Sequence, residues 1–293
     1  MRRVPLAPDP LRLQNRVDID RLGYAVDVGF TGERFIPRDT QITTFRTESK
    51  RVGLEIKESK TKVMKISRTA RDVNFVDVGG LMLEVVDSFK YLGSTVTTNN
   101  DMTEEIKIRI SSASKCSWAM KEVLNSRILS RRTKLQAYTA ILRPIATYAC
   151  ETWSLTKEQE RMLLVFEHKI LRRILGGVRD ENGEWRIRHN AELRNLTGLA
   201  PITSFVRAQR LRWAGHVARL PDGSMTKEVA RGTPFGRRPP GRPRMRWADN
   251  VRADLAALDV PNPEDWWNLA QDRRQWRTLV IAAKDQMGLQ LQE

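Results

Sequence analysis

The chain has 293 residues and carries 51 Lys+Arg against 35 Asp+Glu, a formal charge of +16. Nucleic acid, another acidic substrate or an anionic membrane surface is the natural counterpart of such a charge. No apolar run approaches the ~18 residues of a membrane span, and MRRVPLAPDPLRLQ lacks the apolar stretch of a secretory signal, which argues against both membrane insertion and secretion.

Residues 1–43 show too little periodicity to assign. Residues 44–100 read as an α+β piece. Thr44 to Val52 suits a short helix ended by Gly53. LEIKESKTKVMKIS reads strand–turn–strand: Leu54 and Ile56 alternate, Glu58-Ser59-Lys60 turns, and Val63, Met64 and Ile66 resume. VNFVDVGGLMLEVVDSFKYLGSTVT predicts two more strands, with the first turn at Gly79-Gly80.

Residues 101–178 turn helical. Thr103 suits an N-cap, followed by Glu104 and Glu105 at the positive helix end. Ile106, Ile110, Ala113, Met120 and Leu124 share one face. A second helix begins after Ser130 and carries Leu135, Tyr138, Leu142 and Ile145, with Pro144 placed to kink or split it. The third has a Thr156–Gln159 capping box and a stripe of Met162, Leu163, Phe166, Ile170, Ile174 and Leu175, and it stops at Gly176-Gly177.

Residues 179–230 form an Arg-rich helical region. A short helix runs from near Asn190 to Gly198, and Pro201 opens a longer one. The longer helix buries Ile202, Phe205, Val206, Trp213, Val217 and Leu220, and the wheel puts Arg207, Arg210, Arg212 and Arg219 outside that face. Two helices joined by a short turn resemble a helix-turn-helix, but they are also a common packing unit. Residues 231–247 hold six Arg, four Pro, three Gly and no acid, which predicts an extended arm. Residues 248–293 close the chain with helices built on Trp247, Val251, Leu255 and Leu258, then on Trp266, Leu269, Ala270, Trp276, Val280 and Ala283.

The charge is concentrated. Residues 161–250 hold 19 Lys+Arg against 8 Asp+Glu, and only Lys169 and Lys227 of those cations are lysine. Arg serves solubility no better than Lys, but its planar fork matches phosphate and stacks on bases. The candidate nucleic-acid contacts are Arg207, Arg210, Arg219, Arg237, Arg238, Arg242, Arg244 and Arg246. Within the arm, Pro240-Gly241-Arg242-Pro243-Arg244 resembles an AT-hook, though Pro240 stands where another Arg is usual. A basic arm that grips phosphates without reading sequence accounts for it more simply.

Local signals for catalysis are absent. The sequence has no phosphate-binding glycine loop, no dinucleotide fingerprint and no small-molecule site signature. Cys116 and Cys150 cannot form a disulfide framework, which fits an intracellular location, nuclear or cytoplasmic. His168, His189 and His216 lie at no metal-ligand spacing and beside no evident nucleophile. Most Trp residues fall on apolar stripes and read as core; Trp185, within GEWRIRHN, is the exception.

The order of motifs carries a further signal. VGLEIKESKTKVM, FKYLGSTV, ILRPIATYACETWSL, FEHKILRRILG, RLRWAGHVARLP, GRRPPGRPRMRWADNV and AQDRRQWRTLV follow one another over roughly residues 45–280. The series resembles the C-terminal part of the endonuclease–reverse transcriptase of non-LTR, LINE-like retrotransposons. The resemblance implies a mainly α, α+β fold: a small incomplete palm-edge sheet, a thumb-like helical bundle, and a helical basic C-terminal region. It implies that Lys60 or Lys62 approaches an incoming nucleotide, and that Phe89, Lys90, Tyr91, Leu92 and Gly93 match a primer grip. It implies an RNA or DNA partner for the basic region.

The family's polymerase uses two Mg²⁺ ions held by palm aspartates, and the hairpin that carries them holds an Asp-Asp pair. This sequence contains no Asp-Asp dipeptide. The expectation is therefore a truncated reverse transcriptase fragment that needs no cofactor of its own and does not polymerise alone. A domesticated DNA- or RNA-binding protein using the AT-hook-like arm, or a non-functional relic, are the other readings.

Overall fold

The computed structural model describes residues 11–12, 18–19, 21–24, 27–31, 38–65, 73–232 and 245–285. The fold is mainly α with small sheets of two or three strands. It divides into two compact units: Met1–Asp101 with Pro221–Arg242, and Met102–Leu220 with Pro243–Glu293.

In the first unit, β1 (Leu11–Arg12) pairs antiparallel with β2 (Asp18–Ile19), and β3 (Arg21–Tyr24) with β4 (Asp27–Phe30). Helix α1 (Arg38–Arg51) starts earlier than its apolar pattern suggests, and Gly53 (φ +77°) turns the chain beyond it. Leu54 and Ile56 do not form the expected strand. Instead the chain passes through a 3-10 turn at Glu58–Lys60 into β5 (Lys62–Val63). β6 (Phe75–Val78) runs antiparallel and β5 parallel to β7 (Leu81–Val85), so the sheet order is β5-β7-β6. β5 meets β7 only at Glu84 and Val85, and Leu54–Lys57 forms no strand beside it.

A hairpin of β8 (Ser88–Tyr91) and β9 (Ser94–Thr97) follows, giving four strands where the sequence suggested two. Two turns, Gly79-Gly80 (φ +61°, +79°) and Leu92-Gly93 (φ +48°, +85°), use left-handed backbone at both central residues. That geometry twists in the same sense as the strands it joins. Val78, Leu81 and Leu83 are buried with Ile42 of α1 to form this unit's core.

The second unit begins with α2 (Thr103–Ala119) and α3 (Lys121–Asn125). Thr103 is the first helical residue rather than the cap, and its hydroxyl accepts a hydrogen bond from Gln159 Nε2 at 3.0 Å. Glu105 is fully buried and pairs with Arg109 at 2.6 Å.

Ser130 caps α4 (Arg131–Ala137), its Oγ accepting from the Thr133 amide at 3.1 Å. Residues Tyr138–Leu142 then widen to a π-turn before α5 (Arg143–Ala146), and the Arg143 amide bonds back to the Tyr138 carbonyl. Pro144 has no N–H to offer the preceding turn, so the ladder is interrupted there and the winding changes.

The Thr156–Gln159 capping box opens α6 (Lys157–Leu175), which ends at Gly176 (φ +71°). A two-residue ribbon, β10 (Val178–Arg179) with β11 (Trp185–Arg186), leads to α7 (Asn190–Thr197) and α8 (Ile202–Ala218). Helix α9 (Met225–Arg231) belongs to the first unit. The chain closes with α10 (Trp247–Ala256), α11 (Trp266–Leu269) and α12 (Arg273–Asp285).

Two cores lie along α8. Ile202 and Val206 join the first, with Tyr138, Trp153, Leu163, Phe166 and Ile170. Leu211, Ala214 and Ala218 join the second, with Val251, Leu255, Trp266 and Trp276. Among the described residues, no helix is long and apolar enough to cross a membrane.

Candidate nucleic-acid interface

Helix α8 carries the arginines, and its neighbours decide which remain available. It is packed by α6, α10, α11 and α12, so it is covered from several sides. Small residues allow this: Ala208, Ala214, Gly215 and Ala218 are all buried. Gly215 sits so close to Trp276 that a Cβ there would lie 2.3 Å from the indole Nε1. The expectation of an outward face holding Arg210 is therefore corrected. Arg210 is 1% exposed, and its Nη1 donates to Asp254 Oδ2 of α10 at 2.8 Å. A helical wheel assumes one buried side, whereas α8 has several.

Arg207 is half-committed. It reaches Glu160 Oε2 at 3.3 Å and Asp254 Oδ1 at 3.7 Å. Burial pushes the Asp254 carboxyl up to about 6, while Arg210 and Arg207 pull it down. Arg219 donates from Nη1 to the Ala270 carbonyl at 2.6 Å. Burial lowers its guanidinium below the usual range, and the like charge of Arg273 lowers it further.

The outward charge lies elsewhere on the same unit. Arg212 of α8 is exposed, as are Arg273, Arg274 and Arg277 of α12. None of these four has an ion-pair partner among the described residues. The α12 arginines lie outside the Arg-rich stretch of residues 161–250. Three Arg within the first five residues of RRQWRTLVIAA, with Arg274 opposite the Trp276–Val280–Ala283 stripe, are the signal that could have found them.

Arg246 is exposed just before α10, its amide donating to Asp249 Oδ2 at 2.8 Å. Arg237, Arg238, Arg242 and Arg244, with the AT-hook-like core of the arm, lie outside the described residues.

The other sequence candidates sit in the first unit. Lys60 is exposed in the 3-10 turn. Lys62 opens β5 and is already paired with Glu84 Oε2 at 2.5 Å. Phe89, Lys90 and Tyr91 form β8, and Leu92-Gly93 make its tight turn. β5 and β8 belong to separate sheets, so these two groups do not share a surface built by one sheet.

Over 236 residues the chain is 30% identical to transposon-derived protein F52C9.6 of Caenorhabditis elegans, covering 78% of this chain and 83% of that protein. The chain belongs to this transposon-derived family. No protein-family profile and no solved structure matches it.

The transposon-derived chain also holds buried polar groups that sequence reasoning missed. Glu167 of α6 accepts from Tyr138 Oη at 2.6 Å and from Arg143 Nη2 at 2.8 Å through one oxygen. Its other oxygen accepts from the Ile202 amide at 2.8 Å, at the start of α8. Burial, with the Glu167 charge, raises the Tyr138 phenol well above its ordinary value. Partners 24 and 29 residues apart leave no local pattern to read.

These groups are structural in character. Burial and Glu151 push the Cys150 thiol up to about 12, so it stays protonated. Burial lowers His168. Trp213 and His216 lie with ring centroids 5.1 Å apart. Among the described residues, no group of three or more His, Cys, Asp or Glu is placed to hold a metal ion.

Proposed function

We propose that this transposon-derived chain is a nucleic-acid-binding part of a non-LTR retrotransposon reverse transcriptase, matching its palm edge, thumb and basic C-terminal region. The observation that carries the reading is the sorting of arginines in the second unit. Arg207 and Arg210 are drawn inward by Asp254 and Glu160, while Arg212, Arg273, Arg274 and Arg277 are exposed and have no carboxylate partner among the described residues. Such unneutralised Arg on a packed scaffold favours phosphate and releases counterions on binding. The relationship to a transposon-derived protein and the order of the sequence motifs support the retroelement origin.

Lys60 and the Phe89–Gly93 turn would face the nucleotide and primer in this reading, while Lys62 is neutralised by Glu84. The sequence has no Asp-Asp pair, and we expect the chain to hold a nucleic acid without copying it. Binding of labelled RNA and DNA across a salt series tests the first claim. A steep loss of affinity with salt supports it, and salt-independent or absent binding overturns it. Primer extension with Mg²⁺ or Mn²⁺ tests the second, and incorporation of nucleotides overturns it.

A further inference from the structure

We infer that the β10–β11 ribbon is a stacking platform for an unpaired nucleobase, with Trp185 as the platform and Arg179 as its cationic partner; this rests on the nucleic-acid-binding reading above. The ribbon inverts the usual order of burial. Trp185 and Ile187 are 71% and 73% exposed, whereas Arg186 and Arg188, which alternate with them, are half-buried and hydrogen-bonded. Arg186 grips Glu192 with two bonds, of 2.9 and 2.6 Å. Arg188 donates to the carbonyls of Gly176 and Gly177 at 3.2 and 3.4 Å, at the negative end of α6. Alternation along an extended segment ordinarily sends the apolar side chains to the core. Here the arginines anchor the ribbon and the apolar pair is presented to solvent.

The platform is held in place. Arg172 of α6 donates to the Arg188 carbonyl at 3.1 Å and to Asn190 Oδ1 at 2.7 Å, closing the base of the ribbon. The tip is stitched by Asp180, whose Oδ1 accepts from the amides of Asn182 and Glu184 at 3.0 and 2.9 Å. Gly177 lets the indole approach: a Cβ there would meet Trp185 Cε3 at 3.3 Å. A fixed aromatic ring loses little conformational freedom when a ligand stacks on it.

The occupant follows from the charge stacked on one face of the ring, which leaves the opposite face for a base. The Arg179 guanidinium, from the cross-strand partner position, lies over one face of the Trp185 ring, 5.2 Å from its centroid, exposed and in no ion pair among the described residues. An indole flanked by an unpaired guanidinium offers a π-face for a base and a cation for its phosphate. Lys169 is exposed on α6, whose own Glu167 is withdrawn into the core. Glu181 and Glu184 are exposed at the tip, so the strand's phosphates are expected on the Arg179 side of the ribbon. In a duplex the base faces are already stacked, so the preference is for single strands or unpaired loops.

The test uses the full chain with a labelled single-stranded RNA and the matching duplex. Trp185→Ala is expected to weaken single-strand binding on the order of tenfold, leave duplex binding unchanged and leave the salt dependence unchanged. Trp185→Phe should retain most of the affinity. Single-strand affinity unaffected by Trp185→Ala overturns the platform while leaving the function reading intact. Wild-type protein that binds neither probe overturns that reading and the platform with it. An equal loss on single strand and duplex also overturns the platform. Near-unchanged circular dichroism of the alanine variant, expected for an exposed side chain, keeps these outcomes interpretable.

Discussion

Arg143 donates from Nη2 to the carboxylate of Glu167 at 2.8 Å, and both side chains are almost wholly enclosed, at 7% and 3% exposure. The pair ties α5 to α6. Arg143 also donates to the Ala200 carbonyl at 2.9 Å, and Glu167 accepts the first amide of α8. One ion pair thus meets three helices and the loop before the third.

Removing either member leaves a buried charge alone. Glu167→Ala and Arg143→Ala are each expected to destabilise the second unit by about 3–5 kcal/mol. Glu167→Gln should cost less, because its carbonyl still accepts while its amide cannot satisfy the donors on the other side. Urea unfolding curves check the order, and an Ala variant as stable as wild type would show that the pair is not a tie.

Arginines of the second unit should separate by role. Arg210→Ala strips Asp254 of its buried partner and should lower stability by about 3–5 kcal/mol. Arg212→Ala and Arg273→Ala should leave the melting temperature nearly unchanged and instead weaken nucleic-acid binding. Each should reduce the slope of log affinity against log salt by about 1. Thermal melts and salt titrations on the same three variants compare the two effects, and an unchanged slope would remove Arg212 and Arg273 from the interface.

Gly215 allows α8 and α12 to meet through Trp276, whose Nε1 donates to the Leu211 carbonyl at 2.8 Å. Gly215→Ala places a methyl against that indole. The expected loss is about 1–3 kcal/mol, despite the better helix propensity of Ala. Near-ultraviolet circular dichroism should report the displaced Trp, and a stabilised variant would contradict the close approach.

His168 gives the fold a pH dependence of known sign. Burial lowers its value below the ordinary 6.5; Glu167 raises it, while Arg172 and Arg194 lower it further. The unfolded chain therefore binds the proton more readily than the folded one. Its contribution to stability is intact near neutrality and is lost as pH falls through about 6.5 toward the lower folded value. His168→Gln should flatten that part of the stability curve, measured by chemical denaturation at a series of pH values. An unchanged slope would assign the acid sensitivity to other groups.

Much of this protein is legible from residue order because its signals are local. The Thr156–Gln159 box, the Ser130 cap, the Gly198 stop and the Gly79-Gly80 turn each act within a few residues, and each appears where the pattern puts it. Pro144 likewise disturbs its helix at a predictable place, since a missing amide hydrogen is a property of one residue. The excess of Arg and Lys over acidic residues is also written in composition.

Tertiary structure decided which arginines are free. Arg210 and Arg212 lie two residues apart on one helix, yet one is sealed against Asp254 and the other faces solvent. Asp254 is 44 residues away along the chain, so no window of sequence shows the pairing. The same holds for Trp185, which stays exposed while its neighbours Arg186 and Arg188 are held by Glu192 and by the carbonyls of Gly176 and Gly177. Local order sets the elements and the total charge; burial and ion pairing, which depend on neighbours distant in sequence, set where that charge can act.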